Sequence, residues 1–279
     1  MLISLTYILA LLPRRADALL TELQRIGPNL VIISGDLTQR AREEQYQQAR
    51  QFLDSIRSPK IVVPGNHDVP LWNVYDRFFH PLDGYKKYIS AEVNTSYIED
   101  GLAAVGLNST RSFTIKGGRL SKEQLDWARA RLSNRPEETF KIVVVHHHFI
   151  PPLGFKKGGV IADAREALVV LEECGTDMIL SGHTHRCYIG NTLDFYSQAR
   201  RSIIVVNAGT AISLRGRSRE AKKNTYNLIE IYRDRVLIIH LIWSDDRQQF
   251  AAFSAHLFPR PDNRTPYLER IDLSDSKLS

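Results

Sequence analysis

Six of the nine histidines, at positions 67, 146, 147, 148, 183 and 185, fall in three short segments, each directly behind an apolar run. Ile61-Val62-Val63 runs into Pro64-Gly65-Asn66-His67-Asp68, Ile142 to Val145 into His146-His147-His148, and Met178-Ile179-Leu180 into Ser181-Gly182-His183-Thr184-His185. A fourth run, Leu30 to Ile33, ends in Ser34-Gly35-Asp36-Leu37-Thr38. A single loop histidine is ordinarily a satisfied hydrogen-bonding residue. Shared placement with Asp36 and Asn66 instead points to a common metal site. Neutral imidazole with carboxylate and amide oxygen suits manganese, iron, zinc or nickel and disfavours calcium or copper(I).

These side chains need elements that end at one place. Short continuous β-branched runs read as buried strands of a parallel or mixed sheet, and open α/β sheets gather ligands just past the carboxyl ends of such strands. The opening third alternates accordingly. Met1 to Leu12 reads as a first strand, Pro13 to Ile26 as a helix with apolar residues at helical spacing, and Gly27-Pro28 as its stop. Then come a strand at Leu30, a polar-faced helix from Ala41 to Ile56, and the strand before Pro64. Short helices are expected over 71–90 and strands at Thr95 to Ile98 and Leu102 to Leu107. The helix of Ser121 to Leu132 carries a capping box in Ser121 and Gln124. Pro151 to Gly159 reads as a loop at the site's mouth, Ala164 to Leu171 as a helix. Beyond Arg186 the runs Ile203 to Val206, Tyr226 to Ile231 and Val236 to Ile242 follow without helices, and this shift predicts a second sheet packed on the first.

At 279 residues, 43% hydrophobic and 24% charged, the composition is that of an ordinary globular protein. The reading is a single domain over 1–258 with a polar tail over 259–279. A formal charge of +6 suits an anionic substrate without marking a nucleic-acid binder. The basic residues Arg215, Arg217, Arg219, Lys222 and Lys223 read first as a solvated loop, and Arg111 as a surface arginine ahead of a phosphate clamp. Cys174 and Cys187 have neither disulfide-framework count nor zinc-finger spacing, so both are read as packed thiols in a reducing cytoplasm. In the N-terminal run the charges Arg14 and Arg15 follow the apolar stretch, the wrong order for export, and its length is too short to span a bilayer.

The blocks Gly35-Asp36, Gly65-Asn66-His67-Asp68, His146-His147 and Gly182-His183-Thr184-His185, in this order over residues 1 to about 245, resemble the calcineurin-like metallophosphoesterases. The bacterial branch similar to class III cyclic-nucleotide phosphodiesterases matches best. The resemblance implies an α/β fold, a four-layer α/β/β/α sandwich with two mixed sheets, holding two divalent metals. It implies Asp36 as the bridging ligand, Asn66, His146 and His183 on the second metal, His185 on the first, and His67 near the leaving oxygen as the catalytic acid. His147 falls to an outer position, and His148 stands where many relatives carry proline. Two metals about 3.5 to 4 Å apart activate water and neutralise phosphoryl charge, and a general acid adds roughly 10² to 10⁴ in rate.

One family motif is missing. An Asp-x-His pair ends the family's first strand; aligning Ile3-Ser4 with the family's Ile-Ser puts Leu5 and Tyr7 in its place. Leucine cannot ligate, and a phenol with a pKa near about 10 ligates reluctantly. The nearest other carboxylate, Asp17, falls within a helix. The expectation is a chain that keeps one metal, on the second site, and hydrolyses a small phosphate ester slowly. A non-catalytic metal- and nucleotide-binding sensor is the alternative, and a nuclease a more distant one, with no membrane partner and the oligomeric state open.

Overall fold

The computed structural model describes residues 1–5, 12–71, 73–113, 117–151, 159–196, 198–213 and 220–260. Strand β1 (Leu2–Leu5) leads to α1 (Pro13–Ile26), which opens on its proline, buries Ala16, Leu19 and Leu23, and closes on Gly27 in the left-handed region. β2 (Leu30–Ile33), α2 (Glu43–Ser55) and β3 (Lys60–Val62) follow, then the short helices α3 (Val74–Phe79) and α4 (Asp83–Tyr88). β4 (Thr95–Glu99), β5 (Leu102–Gly106) and β6 (Gly118–Arg119) precede α5 (Lys122–Leu132), which starts on the reciprocal Ser121 and Gln124 cap expected from sequence. The chain continues through β7 (Phe140–Val144), β8 (Ile161–Ala162), α6 (Ala164–Glu173), β9 (Met178–Ser181) and β10 (Tyr188–Asn191). It closes with β11 (Ile204–Asn207), β12 (Thr225–Ile231), β13 (Arg235–Ser244) and β14 (Gln249–Pro259).

Two six-stranded mixed sheets form, ordered β14-β13-β12-β1-β2-β3 and β10-β11-β9-β7-β5-β4. Their strands alternate with period two, so each sheet has two apolar faces. Leu30 and Ile32 of β2 meet Ile142 and Val144 of β7, Met178 and Leu180 of β9 and Ile204 and Val206 of β11 in the core between the sheets. Val31 and Ile33 point the other way, onto α1 and α2; Val143 and Ile179 face α5 and α6. The result is the four-layer α/β/β/α sandwich.

The strands after Arg186 do not make a second sheet of their own. β11 lies parallel to β9, whereas β12 runs antiparallel to β1, and β13 and β14 extend that same first sheet. A run of strands fixes their number and not their neighbours, and pairing here is set by which sheet still has an open edge. β14 runs to Pro259, at the boundary read for the tail. Of the predicted first strand Leu2–Leu5 is strand; Tyr7, with the rest of 6–11, lies outside the described residues, as do most of the loop expected at Pro151 to Gly159, the basic positions 215, 217 and 219, and 261–279. Cys174 and Cys187 are free and buried.

Candidate metal centre

β2 and β3 of one sheet and β7 and β9 of the other end at the same rim, and the loops that follow carry Asp36, Asn66, His146, and His183 with His185. Their backbone is bent to reach it. Asp36, His183 and His185 have φ of 59°, 66° and 53°, a region that L-residues enter only at a cost and that clusters at functional sites. Two glycines let the loops touch. A Cβ on Gly65 would lie 2.2 Å from the Asp36 nitrogen, and one on Gly35, itself at φ 91°, would lie 2.6 Å from His146 Nδ1.

Asn66, His146 and His183 form one tight group. His146 Nε2 is 2.9 Å from Asn66 Oδ1 and 3.3 Å from Asp36 Oδ1. His183 Nδ1 is 2.9 Å from Asn66 Oδ1 and 3.2 Å from His146 Nε2. The Nδ1–H of His146 donates to the Ser34 carbonyl at 2.7 Å, so its Nε2 carries a lone pair. Lone pairs therefore converge with too few protons to pair them. Donors bound to one metal at about 2.1 Å sit roughly 3 to 3.5 Å apart, the spacing found here. Burial, more than any charge, lowers the pKa of His146, His147 and His183, which keeps the imidazoles in the neutral form that ligates. Asp36 is fully buried; desolvation acts to raise its pKa, but His146, His67 and the other histidines hold it below the ordinary value as a carboxylate. Its Oδ2 has no hydrogen-bond partner. These residues fit a divalent cation.

The other side of Asp36 is thinner. His185 Nε2 stands 3.8 Å from Asp36 Oδ2, its Nδ1 3.1 Å from Thr210 Oγ1, and His67 completes a loose group with them. Leu5, fully buried at the end of β1 beside Ile33, packs with Leu19 and Leu37 in the apolar layer under the helices and offers nothing to a cation.

His67 and Asp68 both brace the loop that carries Asp36. The His67 N–H donates to Asp36 Oδ1 at 3.1 Å, and its Nδ1–H donates to the Gln39 carbonyl at 3.0 Å. The buried carboxylate of Asp68 accepts the backbone N–H groups of Leu37, Thr38 and Gly65 at 3.0, 2.7 and 2.8 Å, tying the Asp36 loop to the Asn66 loop. Burial, then the neighbouring Asp36, pushes its pKa up to about 7 against the pull of those amides. Ser109, overlooked in the sequence, accepts the His147 N–H at 3.1 Å and lies 2.9 Å from its Nδ1. Arg111 lines a surface cavity with Phe113, Gly118 and Lys122.

The family model for calcineurin-like phosphoesterases matches residues 12–187. A probable cyclic nucleotide phosphodiesterase of Synechococcus sp. is 30% identical over 180 residues, 63% of this chain and 65% of that protein. A glycerophosphodiester phosphodiesterase of Enterobacter lignolyticus is 28% identical over 63% of this chain and 61% of its own length. The matched part thus spans under two thirds of either relative. Among solved structures, a purple acid phosphatase from yellow lupin seeds superposes with a TM-score of 0.71 at 11% identity, covering 93% of this chain and 53% of that one, a likeness of fold.

Proposed function

Because the chain belongs to the calcineurin-like phosphoesterase family, we propose that it is a metal-dependent hydrolase of a small phosphodiester, slowed by the loss of two ligands at Leu5 and Tyr7. The observation that carries this reading is the convergence of Asp36 Oδ1, Asn66 Oδ1 and the ring nitrogens of His146 and His183, while the second carboxylate oxygen, Oδ2, is left without a hydrogen bond on the side of His185. Asp36, Asn66, His146 and His183 hold one divalent cation, with manganese, iron, zinc and nickel as candidates, and His185 with Asp36 forms the remnant of a second place. Bound there, the metal supplies Lewis acidity that acidifies water and offsets charge on the phosphoryl oxygens.

The remaining chemistry belongs to side chains. Asp36, its Oδ1 fixed by the His67 amide, would present its carboxylate to the cation. His67, with Nδ1–H anchored on Gln39, delivers a proton from Nε2 in its imidazolium form to the departing alkoxide. Asp68 keeps the two loops in register while this happens. The free, buried cysteines support a cytoplasmic setting, and no helix among the described residues is long and apolar enough to cross a membrane.

The test is hydrolysis of bis(p-nitrophenyl) phosphate by the chelator-treated chain with each candidate metal restored in turn. Metal-dependent turnover that disappears in Asp36→Asn is the expected result. A second reading, a non-catalytic sensor of a phosphorylated ligand, is favoured by buried Leu5 in place of a ligand; metal-dependent binding of cyclic nucleotide without turnover of any diester would establish it.

A further inference from the structure

His147 lies against the candidate metal centre with a nitrogen that no described residue meets in a hydrogen bond. It is buried, and its Nε2 has no hydrogen-bond partner. One ring nitrogen from each of His146, His147 and His183 falls within 4.8 Å of the others. Its ring centroid is 4.9 Å from that of His146 and 4.8 Å from that of His183. The opposite edge of the ring is pinned, because a Cβ on Gly118 would come within 2.6 Å of His147 Nδ1, and the Ser109 hydroxyl sits 2.9 Å from that atom. A buried unsatisfied imidazole nitrogen costs roughly 1 to 3 kcal/mol, and a ring so fixed cannot turn to relieve it.

We propose that His147 is a further ligand of the cation held by Asp36, Asn66, His146 and His183, making this a three-imidazole site. The inference rests on the metal-centre reading above. With His147 Nδ1–H donated to the second lone pair of Ser109 Oγ, Nε2 presents its own lone pair, the arrangement common to ligating histidines. Donors on opposite sides of one cation lie about 4.2 Å apart, against the 4.8 Å within which the three imidazole nitrogens fall. Three imidazoles shift selectivity toward zinc or nickel and away from manganese. The added ligand also gives the chain a tight single-metal site where its other half has lost two donors. Ser109 is the positioning residue.

Zinc affinity is measured on the apo chain by competition with a chromophoric chelator, and imidazole ligands are counted by X-ray absorption at one zinc per chain. The expected result is at least a tenfold loss of zinc affinity in His147→Gln, with the count falling from three to two while manganese affinity changes less. An unaltered affinity and count in folded His147→Gln overturns the proposal. Should that variant fail to fold, Ser109→Ala, which keeps the imidazole, decides: a loss of about 10- to 100-fold supports it, and native affinity overturns it. His146→Ala separates the two levels, since zinc binding that survives there removes the metal-centre reading itself, whereas zinc lost there and retained in His147→Gln removes the role of His147 alone.

Discussion

The two sides of Asp36 are built to different standards. Toward Asn66, His146 and His183 the donors stand 2.9 to 3.3 Å apart, each fixed by a loop that glycine allows to approach. On the other side His185 Nε2 is 3.8 Å from Asp36 Oδ2, and Leu5 turns into the apolar layer. Both sides draw on the same carboxylate and the same rim. The difference lies in what each side offers: loop donors on one, and on the other a strand whose Ile3 and Leu5 are buried in packing.

The comparison is broken most directly at the donors. Asp36→Asn or His146→Ala should reduce metal affinity more than 100-fold, beyond the roughly 10- to 100-fold cost of removing an outer partner, and bring turnover to background. His185→Ala should leave the affinity for the first equivalent within about threefold, on the same scale. Equal losses from both sides, read by equilibrium dialysis, would erase the asymmetry. Next in size is Asp68→Ala, which strands three backbone N–H groups in the interior. A loss of about 3 kcal/mol in urea-unfolding stability is expected, with both sides weakened together because the two loops part. Leu5→Asp with Tyr7→His should sharpen the contrast from the other direction. Metal content by elemental analysis should rise from one toward two per chain and turnover by about tenfold or more. Without metal this variant should be less stable by roughly 2 kcal/mol or more, since a carboxylate enters an apolar layer. A native chain that already holds two tight metals would contradict the premise. Smallest is Ser121→Ala, which removes a cap remote from either side; about 1 kcal/mol of stability should go, with metal affinity unchanged.

Much of this was legible because the site lies at the ends of strands that are buried on both faces. Leu30 to Ile33, Ile142 to Val145 and Met178 to Leu180 announce themselves as unbroken apolar runs, and the chemical residues follow at once. Strands with one exposed face did not. β14 mixes Gln249, Ser254 and His256 among its apolar residues, and β10 contains Gly190, so neither shows a run. The parentage of β12 and β13 was hidden for another reason, as it depends on the free edge of β1. Asp68 and Ser109 act through contacts to chain segments 30 and 38 residues away, which spacing cannot reveal.

The place of β1 has a consequence for how the protein is made. It pairs in parallel with β2 on one side and antiparallel with β12 on the other, so its far flank stays bare until more than 200 further residues have been synthesised. Sequence-distant pairing of this kind slows folding and leaves an open strand edge on the nascent polypeptide. β1 thus waits for the much later β12 before both of its flanks are sealed, and chaperone capture of a nascent chain that has not yet reached β12 should fall on it.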